Sequence, residues 1–568
     1  MSRTAYRLNF QIDLPIAKTA LALTTFLLSV IPVTQAAEAQ ANLPKMTFNH
    51  PIRYAVSLPL RELAKLPPHA PYGFHEEAEP VRHVDRHPGR VLGHPADPVE
   101  QSSPGGPSSI SVGLSVLGIH KINGLTPPDT NAAVGDTQIV EWVNVSYAVY
   151  NKSTGALEAG PFDGNLLWQA LGGDCYSENG GDVIAQWDKV NHRWLLAQNY
   201  FNYPGYQPPF AACVAVSTGP DATGTYYEYE FSLGNPFPDY PKWGIWPSGY
   251  FQTQNDFDLT TGNFVGSYVC AYNTTKLIVG DRTAEQICFQ TTPNDMSLLP
   301  GDVDSPTAPP ANQDEFFIGS YDVDQTQNHL YLYSLHPDFA NPNQSTFTGA
   351  GLADPITVPT YTPLCPVLGS PCIPQKGTAN ELDSLGDRLM YRFAYWNDGV
   401  LSHVPPNASR LPSQHWYVNH VTTASGGQAG VRWYEFRAPV RTATISNVSL
   451  FQSGTFAPDS NYRWMGSIAQ DKVGNIALGY SLASSTVYDS IAATGRVPTD
   501  PLGQMEGEVS LFAGSGSQTL QTRWGDYSSM AIDGADGCTF WYAQEYYVVP
   551  ASTDWQTRLT SFKFGGCE

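Results

Sequence analysis

Two stretches near the end of the chain decide its fold: RWMGSIAQD (463–471), followed by NIALGY (475–480), and RWGDYSSMAID (523–533), followed by CTFWY (538–542). Each has an Arg-Trp start, a strand of small and apolar residues, a turn of Asp, Asn or Gly, and a second strand. One such unit cannot bury its own apolar face, so several copies must stack. The pair therefore predicts a repeat protein built from β-strands.

Five earlier stretches fit the same unit: DTNAAVGD (129–136) with IVEW (139–142), GDVIAQWDKVNHRWLLAQ (181–198), WGIWPSGY (243–250), EFFIGSYD (315–322) with HLYLYS (329–334), and DSLGDRLMYRFAY (383–395) with HWYVNHV (415–421). Seven units at spacings of roughly 50 to 80 residues predict a seven-bladed β-propeller within an all-β chain. Six or eight blades stay open as alternatives. The propeller domain is placed at residues 109–568.

A propeller must close its ring, because an open end leaves strand edges free to pair with other chains. We expect the early extended segment 110–119 to complete the last blade beside residues 559–564. A bridge between Cys538 and Cys567 would lock that blade.

The N-terminal part differs from the propeller. Residues 1–41 combine basic residues, a short apolar run and small residues suited to cleavage, which is the pattern of a secretory signal peptide, with an uncleaved anchor as the alternative. Residues 42–108, rich in Pro and His, are expected to form a linker or pro-segment. The sequence thus predicts a secreted protein, extracellular or periplasmic, without integral membrane insertion.

Export makes disulfides permissible, and the chain has eight cysteines. Eight cysteines allow 105 connectivities, so the pairing does not follow from the sequence. Proximity suggests four pairs: Cys175 with Cys213, Cys270 with Cys288, Cys365 with Cys372, and Cys538 with Cys567.

Charge narrows the range of partners. Residues 109–568 carry 43 Asp and Glu against 20 Lys and Arg. This negative field repels phosphate backbones, so we expect no nucleic-acid partner. A monomer that binds a glycan or an extracellular protein is the expected form.

Polar residues just before the inner strands of a propeller gather at one end of its channel, however distant they are in sequence. A pair of such aspartates would supply the acid and the base or nucleophile of glycoside hydrolysis, and arginines and tryptophans would bind the sugar. The catalytic candidates are Asp129, Asp182, Asp387 and Asp526. The substrate-binding candidates are Arg388, Arg463, Arg523, Trp243, Trp246, Trp464, Trp524 and His420.

Each of these residues also has a purely structural interpretation. Aspartates before strands often only cap turns, repeated Arg-Trp pairs can pack within blades, and His420 can be a hydrogen-bonded core histidine. No cofactor is certain from the sequence. Calcium is a candidate at the turn that holds Asp322, Asp324 and Asn328, although the turn lacks the Gly and Glu of an EF-hand loop.

The segment DGADGCTFW (533–541) is similar to, but off-register from, the Asp-box turn of secreted bacterial sialidase-like and glycosidase-like β-propeller proteins. The resemblance covers residues 110–568 at the level of architecture only, and no activity is transferred from it. The leading hypothesis, based on the converging Asp, Arg and Trp residues of a secreted acidic scaffold, is a glycoside hydrolase acting on a neutral or weakly charged glycan. The alternatives are a non-catalytic propeller that binds a surface glycan or protein, and a calcium-stabilised structural or adhesion module.

Overall fold

The computed structural model describes residues 44–66, 75–76, 96–122, 125–201, 206–321, 327–365, 371–399, 412–551 and 554–568. The predicted signal peptide lies outside these ranges. The first elements in the chain are β1 (Lys45–Asn49), β2 (Arg53–Val56), the short helix α1 (Leu60–Leu63), β3 (His75–Glu76), β4 (Glu100–Gln101), β5 (Ile110–His120) and β6 (Leu125–Thr126).

The next elements form three antiparallel sheets. Sheet 1 contains β7 (Thr130–Val134), β8 (Gln138–Val143), β9 (Ser146–Asn151) and β10 (Leu157–Asp163). After the 3-10 helix Gly164–Trp168 and α2 (Gly173–Ser177), sheet 2 contains β11 (Ile184–Asp188), β12 (Arg193–Tyr200), β13 (Phe210–Ser217) and β14 (Tyr226–Gly234). Sheet 3 contains β15 (Phe237–Trp246), β16 (Gly249–Asp258), β17 (Asn263–Tyr272) and, after α3 (Thr274–Leu277), β18 (Gln286–Gln290).

Two further groups of strands join into one ten-stranded sheet. Sheet 4 contains β19 (Met296–Val303), β20 (Glu315–Ser320), β21 (Gln327–His336), β22 (Thr346–Thr348) and β23 (Pro355–Tyr361), with the 3-10 helix Pro342–Gln344. A ribbon of β24 (Ile373–Pro374) and β25 (Glu381–Leu382) precedes sheet 5, which contains β26 (Met390–Asn397), β27 (Ser413–Thr423), β28 (Ala429–Pro439) and β29 (Ser449–Phe456), with the 3-10 helix Ile445–Asn447. The two groups join because β19 pairs parallel with β26.

The last two sheets complete the set. Sheet 6 contains β30 (Tyr462–Gln470), β31 (Ile476–Ser484), β32 (Val487–Arg496) and β33 (Val509–Phe512). Sheet 7 contains β34 (Ser529–Ile532), β35 (Phe540–Tyr546), β36 (Gln556–Phe564) and, from the other end of the chain, β5. The predicted closure by residues 110–119 beside 559–564 is therefore confirmed.

The first strands of the seven sheets, here called the inner strands, contact one another in cyclic order: β7, β11, β15, β19, β26, β30, β34 and again β7. At the point of closure the Ala132 N–H donates to Ser529 Oγ at 2.9 Å. Gly244 is required where β15 approaches β19, because a Cβ there would lie 2.3 Å from the Gly301 carbonyl oxygen. This order of mainly antiparallel sheets agrees with a β-propeller, in which the inner strands surround a channel.

The burial of the middle strands explains their composition. All eight residues of β13 are buried, on both faces. Neighbouring sheets cover both faces of such a strand, so its sequence, FAACVAVS, is almost continuously apolar instead of alternating. Among the described residues, six clusters of buried hydrophobic side chains form the core in this way.

Two features differ from the sequence prediction. The fourth repeat, 315–322 with 329–334, forms β20 and β21, whereas the inner strand is β19; its Pro300 and Gly301 hide the strand pattern. Part of the expected linker is ordered: β1 pairs with β18, β2 pairs with β14 and β4 pairs with β29. Edge pairing through backbone groups needs little side-chain pattern, which is why the sequence did not indicate these strands.

All four proposed disulfides are present, and each of the eight cysteines is bridged. Within the described residues, none of the helices has the length and apolar character needed to cross a bilayer.

We expect the bridge between Cys538 and Cys567 to stabilise the protein by about 4 kcal/mol, because it joins the start of β35 to the end of β36 and spans 29 residues. The double variant Cys538→Ser, Cys567→Ser should lower the free energy of unfolding by that amount in urea titrations. The matched control removes Cys365 and Cys372, whose separation of 7 residues predicts a loss of about 2 kcal/mol. Equal losses in the two variants would contradict the loop-length argument.

Candidate functional site

The backbone enters most inner strands through an unusual conformation. Asp129 and Asp182 just before β7 and β11, and Tyr240 and Met465 at irregularities early within β15 and β30, have φ between 48° and 53°. L-residues adopt this left-handed region at a cost of about 1–2 kcal/mol, so the surrounding structure must enforce it. We call this end of the channel, at which the inner strands begin, the upper end.

Three of the four predicted catalytic aspartates meet at the upper end. The Asp526 N–H donates to Asp129 Oδ1 at 2.8 Å. Asn144 lies between Asp129 and Asp182: its Nδ2 is 3.4 Å from Asp129 Oδ2, and its Oδ1 accepts the Asp182 N–H at 3.2 Å. The turns before β7, β11 and β34 are therefore joined through carboxylates and one amide.

Lys242, which the sequence analysis did not single out, lies in the middle of this group. Its Nζ donates to the Pro241 carbonyl at 2.9 Å and lies 3.4 Å and 4.0 Å from the ring centroids of Tyr240 and Tyr527. Burial lowers the pKa of Lys242 to about 8, although the charges of Asp182 and Asp526 raise it. The sequence around it, DYPKW (239–243), has no pattern of apolar and polar residues that would predict a buried lysine.

The carboxyl of Asp182 is perturbed in the opposite sense. Burial raises the pKa of Asp182 to about 6; the charge of Lys242 and the N–H of Tyr240, which donates to Asp182 Oδ2 at 3.2 Å, lower it, and Asp526 raises it. This position therefore titrates in the mildly acidic range, unlike an ordinary aspartate.

Two predicted arginines cover the group. Arg523 contacts Asp526 Oδ1 at 2.5 Å. Arg388 forms a bidentate pair with the fourth predicted aspartate, Asp387, with both N–O distances at 2.9 Å, and lies 4.6 Å above the Tyr240 ring. The guanidinium groups thus balance the carboxylates within the protein.

The resulting ionic cluster is closed to solvent. Asp129 and Lys242 are fully buried, and Asp182 and Asp526 are 4% and 6% exposed. Glycoside hydrolysis needs two carboxyls that reach either side of a bound sugar. Here the carboxylates instead accept hydrogen bonds from backbone N–H groups and from an arginine. These bonds join the inner strands to one another.

The other predicted substrate-binding residues lie inside the sheets. Their partners are aromatic or ionic neighbours: Trp243 stacks on Tyr272, Trp246 contacts Tyr395 edge-on, Trp464 packs against Trp524, Arg463 pairs with Asp459 and Glu508, and His420 bonds to the Tyr434 hydroxyl. Burial holds the pKa of His420 well below its ordinary value. The structure does not bring these six residues into the ionic cluster.

A second buried cluster lies farther along the inner strands. Arg392 binds Asp302 at 2.6 Å and Asp304 at 2.7 Å, and Lys189 binds Asp304 at 2.7 Å. Beside it is a cavity of about 20 Å³, lined by Gln186, Lys189, Asp302 and Arg392 among others. This volume suits a single water molecule and excludes an organic ligand.

Ser413, His415 and Glu435 are spaced like a nucleophile, a base and its orienting carboxylate. Ser413 Oγ is 3.0 Å from His415 Nε2, and His415 Nδ1 is 2.8 Å from Glu435 Oε1. The same Nε2 also lies 2.9 Å from Asp398 Oδ2. Each ring nitrogen thus faces a carboxylate, and Ser413 shares Nε2 with Asp398. The group is an ion-pair network that anchors β27.

One loop at the upper end presents an apolar side chain to solvent. Leu520, between β33 and β34, is 87% exposed and has φ 68°. The buried Gln518 holds the loop: its N–H donates to Gln375 Oε1 at 2.7 Å, and its Oε1 accepts the Tyr547 hydroxyl at 2.8 Å. The Thr519 N–H donates to the Ala551 carbonyl at 2.9 Å. The surrounding hydrogen bonds therefore enforce the left-handed conformation of Leu520.

The described part of the chain contains no group of three or more His, Cys, Asp or Glu side chains placed to hold a metal ion. The predicted calcium turn is only partly described: Asp322 and Asp324 lie outside the described residues, and Asn328 belongs to β21.

No family model and no curated protein matches the sequence. Solved structures that match include a protein of unknown function from Dyadobacter fermentans, at 10% identity over 80% of this chain and 99% of that chain, with a TM-score of 0.31. An endo-arabinase from Bacteroides thetaiotaomicron matches at 10% identity over 56% of this chain and 95% of its own, with a TM-score of 0.26. Drosophila Semaphorin 1b matches at 8% identity over 83% and 88%, with a TM-score of 0.29.

Proposed function

We propose that the chain is a secreted, seven-bladed β-propeller that binds an extracellular protein ligand at the upper end of its channel. The four disulfides support export, since such bridges persist in oxidising compartments. The seven sheets are the blades, and the ionic cluster of Asp129, Asp182, Lys242 and Asp526 fixes their upper ends. The cluster acts as a structural plug.

The observation that carries the proposal is the loop of Leu520. Sugar recognition relies on aromatic faces, but Trp243, Trp246, Trp464 and Trp524 are buried in the sheets. Leu520 offers only apolar contact, which suits a hydrophobic pocket on a protein. Val549, 50% exposed in the loop between β35 and β36, adds a second apolar side chain, because Gly516 of the Leu520 loop lies directly against the Val549 backbone.

We expect Leu520→Asp to weaken ligand binding at least about thirtyfold, the loss typical of a central contact residue. The ligand is isolated by cross-linking the wild-type protein to surface proteins of its source and is then titrated in purified form. Leu502→Asp is the matched control: this leucine is 60% exposed and lies between β32 and β33. Equal affinity of the two variants for the purified ligand would contradict the proposed contact.

A glycoside hydrolase is the second candidate, favoured by one observation. Burial raises the pKa of Asp182 to about 6, close to Asp526, and a carboxyl with a raised pKa is suited to the general-acid role. A panel of neutral glycans tests it. Release of sugar by the wild-type protein, lost in folded Asp182→Asn and Asp526→Asn variants but kept in Leu520→Asp, would favour the hydrolase over the binding propeller.

A further inference from the structure

Six of the seven sheets have an outer edge that is protected against pairing with another chain. Among the residues that the structure describes, the outer edge of sheet 7 is not protected. Sheets 2, 3 and 5 receive the added strands β2, β1 and β4, which are two to five residues long and each contain a charged residue. The outer strand of sheet 1 contains Pro161, and β23 of sheet 4 contains Pro355 and Pro359. The outer strands β22 and β33 have only three and four residues. Prolines, charges and shortness are the usual means of blocking edge-to-edge pairing.

The exception is β5, the outer strand of sheet 7. It has eleven residues, ISVGLSVLGIH, with neither proline nor Asp, Glu, Lys or Arg. It ends its sheet, so within the described residues its outer edge pairs with no strand. Val112, Leu114 and Leu117 are 45%, 38% and 52% exposed. A long, uncharged, partly apolar edge is a template for strand addition.

We infer that β5 pairs antiparallel with β5 of a second copy of the chain, which joins the two sheets 7 into one continuous sheet. The strand is complementary to itself: a pair centred on Leu114 places Val112 of each copy opposite Val116 of the other. Residues 110–120 contain no Asp, Glu, Lys or Arg whose charge the pairing would desolvate, and an acidic or basic segment would gain no ionic partner from them. The charge beside the strand is the Arg558 guanidinium of β36, which donates to Ser115 Oγ at 2.8 Å and to the Ser115 carbonyl at 3.1 Å. The chain's own β1 and β2 already add to outer edges in the antiparallel sense. The sequence led us to expect a monomer; this edge points to a dimer.

Light scattering after size exclusion, at loads from about 1 to about 100 μM, tests the pairing over the range of weak protein pairs. The wild-type mass should rise toward that of a dimer. Association should strengthen when salt is added, because the two copies repel through a net charge of −22 each. Leu114→Lys should weaken it at least tenfold. Leu157→Lys is the matched control, since Leu157 is 50% exposed on β10, the outer strand protected by Pro161.

A second variant, Leu114→Cys, tests the same pairing without placing a charge on the strand, so a folding defect of Leu114→Lys does not decide the result. Leu114→Cys should form a disulfide between two copies across the two-fold axis, visible as a covalent dimer on a non-reducing gel, because every native cysteine is already bridged. Leu157→Cys should cross-link much more slowly. A monomer at all loads, or equal cross-linking of the two variants, would overturn the inference.

Discussion

The free energy of unfolding is expected to increase as the pH falls from 8 to 5, by on the order of 4 kcal/mol. Burial raises the pKa of Glu228 to about 8, of Glu141 to about 7, and of Asp182 and Asp471 to about 6. In the unfolded chain these carboxyls ionise near pH 4. Between pH 4 and 8 the folded protein therefore holds protons that the unfolded chain has lost, and its stability falls as pH rises through the folded pKa values.

Other groups act in the opposite direction or mainly outside this window, such as Lys242, whose pKa is lowered to about 8 and whose effect lies mainly above pH 8. The pKa of His420 is lowered by burial, so its contribution is lost as the pH falls below that of an ordinary histidine. Glu435 has a pKa lowered to about 2, since His415 and Arg437 outweigh its burial, and its contribution is lost only below about pH 4. The four raised carboxyls outnumber His420 between pH 5 and 8, so the net slope keeps its sign.

Unfolding temperatures and urea titrations at pH 5, 6.5 and 8 measure this dependence. Glu228→Gln is the diagnostic variant: Glu228 accepts the Leu171 N–H at 3.0 Å, and its Oε1 is buried without a hydrogen-bond partner. A neutral amide should stabilise the protein at pH 8 and change little at pH 5. Stability that rises with pH from 5 to 8, or a Glu228→Gln effect equal at both values, would contradict the assignment.

Replacing Lys242 by Met is expected to cost about 3–5 kcal/mol at pH 7, where Lys242 is mostly charged and Asp182 mostly ionised, because the only buried lysine of the ionic cluster is removed while its aspartates stay. Methionine matches the length of the lysine side chain, so the loss reports the charge. The cost should shrink at pH 5, where Asp182 takes up a proton. Asp182→Asn combined with Lys242→Met should recover a large part of the loss, which a double-mutant cycle measures.

Lys189→Met is the control for this experiment. Lys189 also binds a buried carboxylate, Asp304, but Asp304 keeps Arg392 at 2.7 Å when the lysine is gone. Lys189→Met should lower the free energy of unfolding by about 1 kcal/mol, the usual loss when a buried group loses one hydrogen-bond partner and keeps another. Equal costs for Lys242→Met and Lys189→Met would show that Lys242 does not hold the aspartates of the upper end together.

Repeated strand units and the disulfide pairs could be predicted because they depend on patterns within short segments of the sequence. The two stretches 463–471 and 523–533 repeat one strand-turn-strand unit, and repetition survives where single strands are ambiguous. The disulfide pairing is the one that proximity suggested among 105 connectivities, because short loops bring cysteines together at least entropic cost. The inner strand β19 was missed where Pro300 and Gly301 interrupt the alternation.

Within the ionic cluster, the sequence identified the aspartates but neither their partner nor their accessibility. Asp129, Asp182 and Asp526 stand before inner strands, which repeat units reveal. Lys242 looks like a solvent-facing residue of β15 in the sequence, and only the ring of strands encloses it. Whether a carboxylate faces a substrate or a backbone N–H depends on groups that the fold brings together, such as Asp129 and Asp526, which are 397 residues apart.

By itself, the sequence determined that this chain forms repeated β-units closed by its own early strand and bridged in four places, since periodicity, turn residues and cysteine spacing are local properties. The tertiary structure decided which groups meet. It enclosed Asp182 with Lys242, left Leu520 in solvent and, among the described residues, gave the outer edge of β5 no strand partner. Burial, pKa and exposure are set by the packing of distant segments, and no window of sequence contains them.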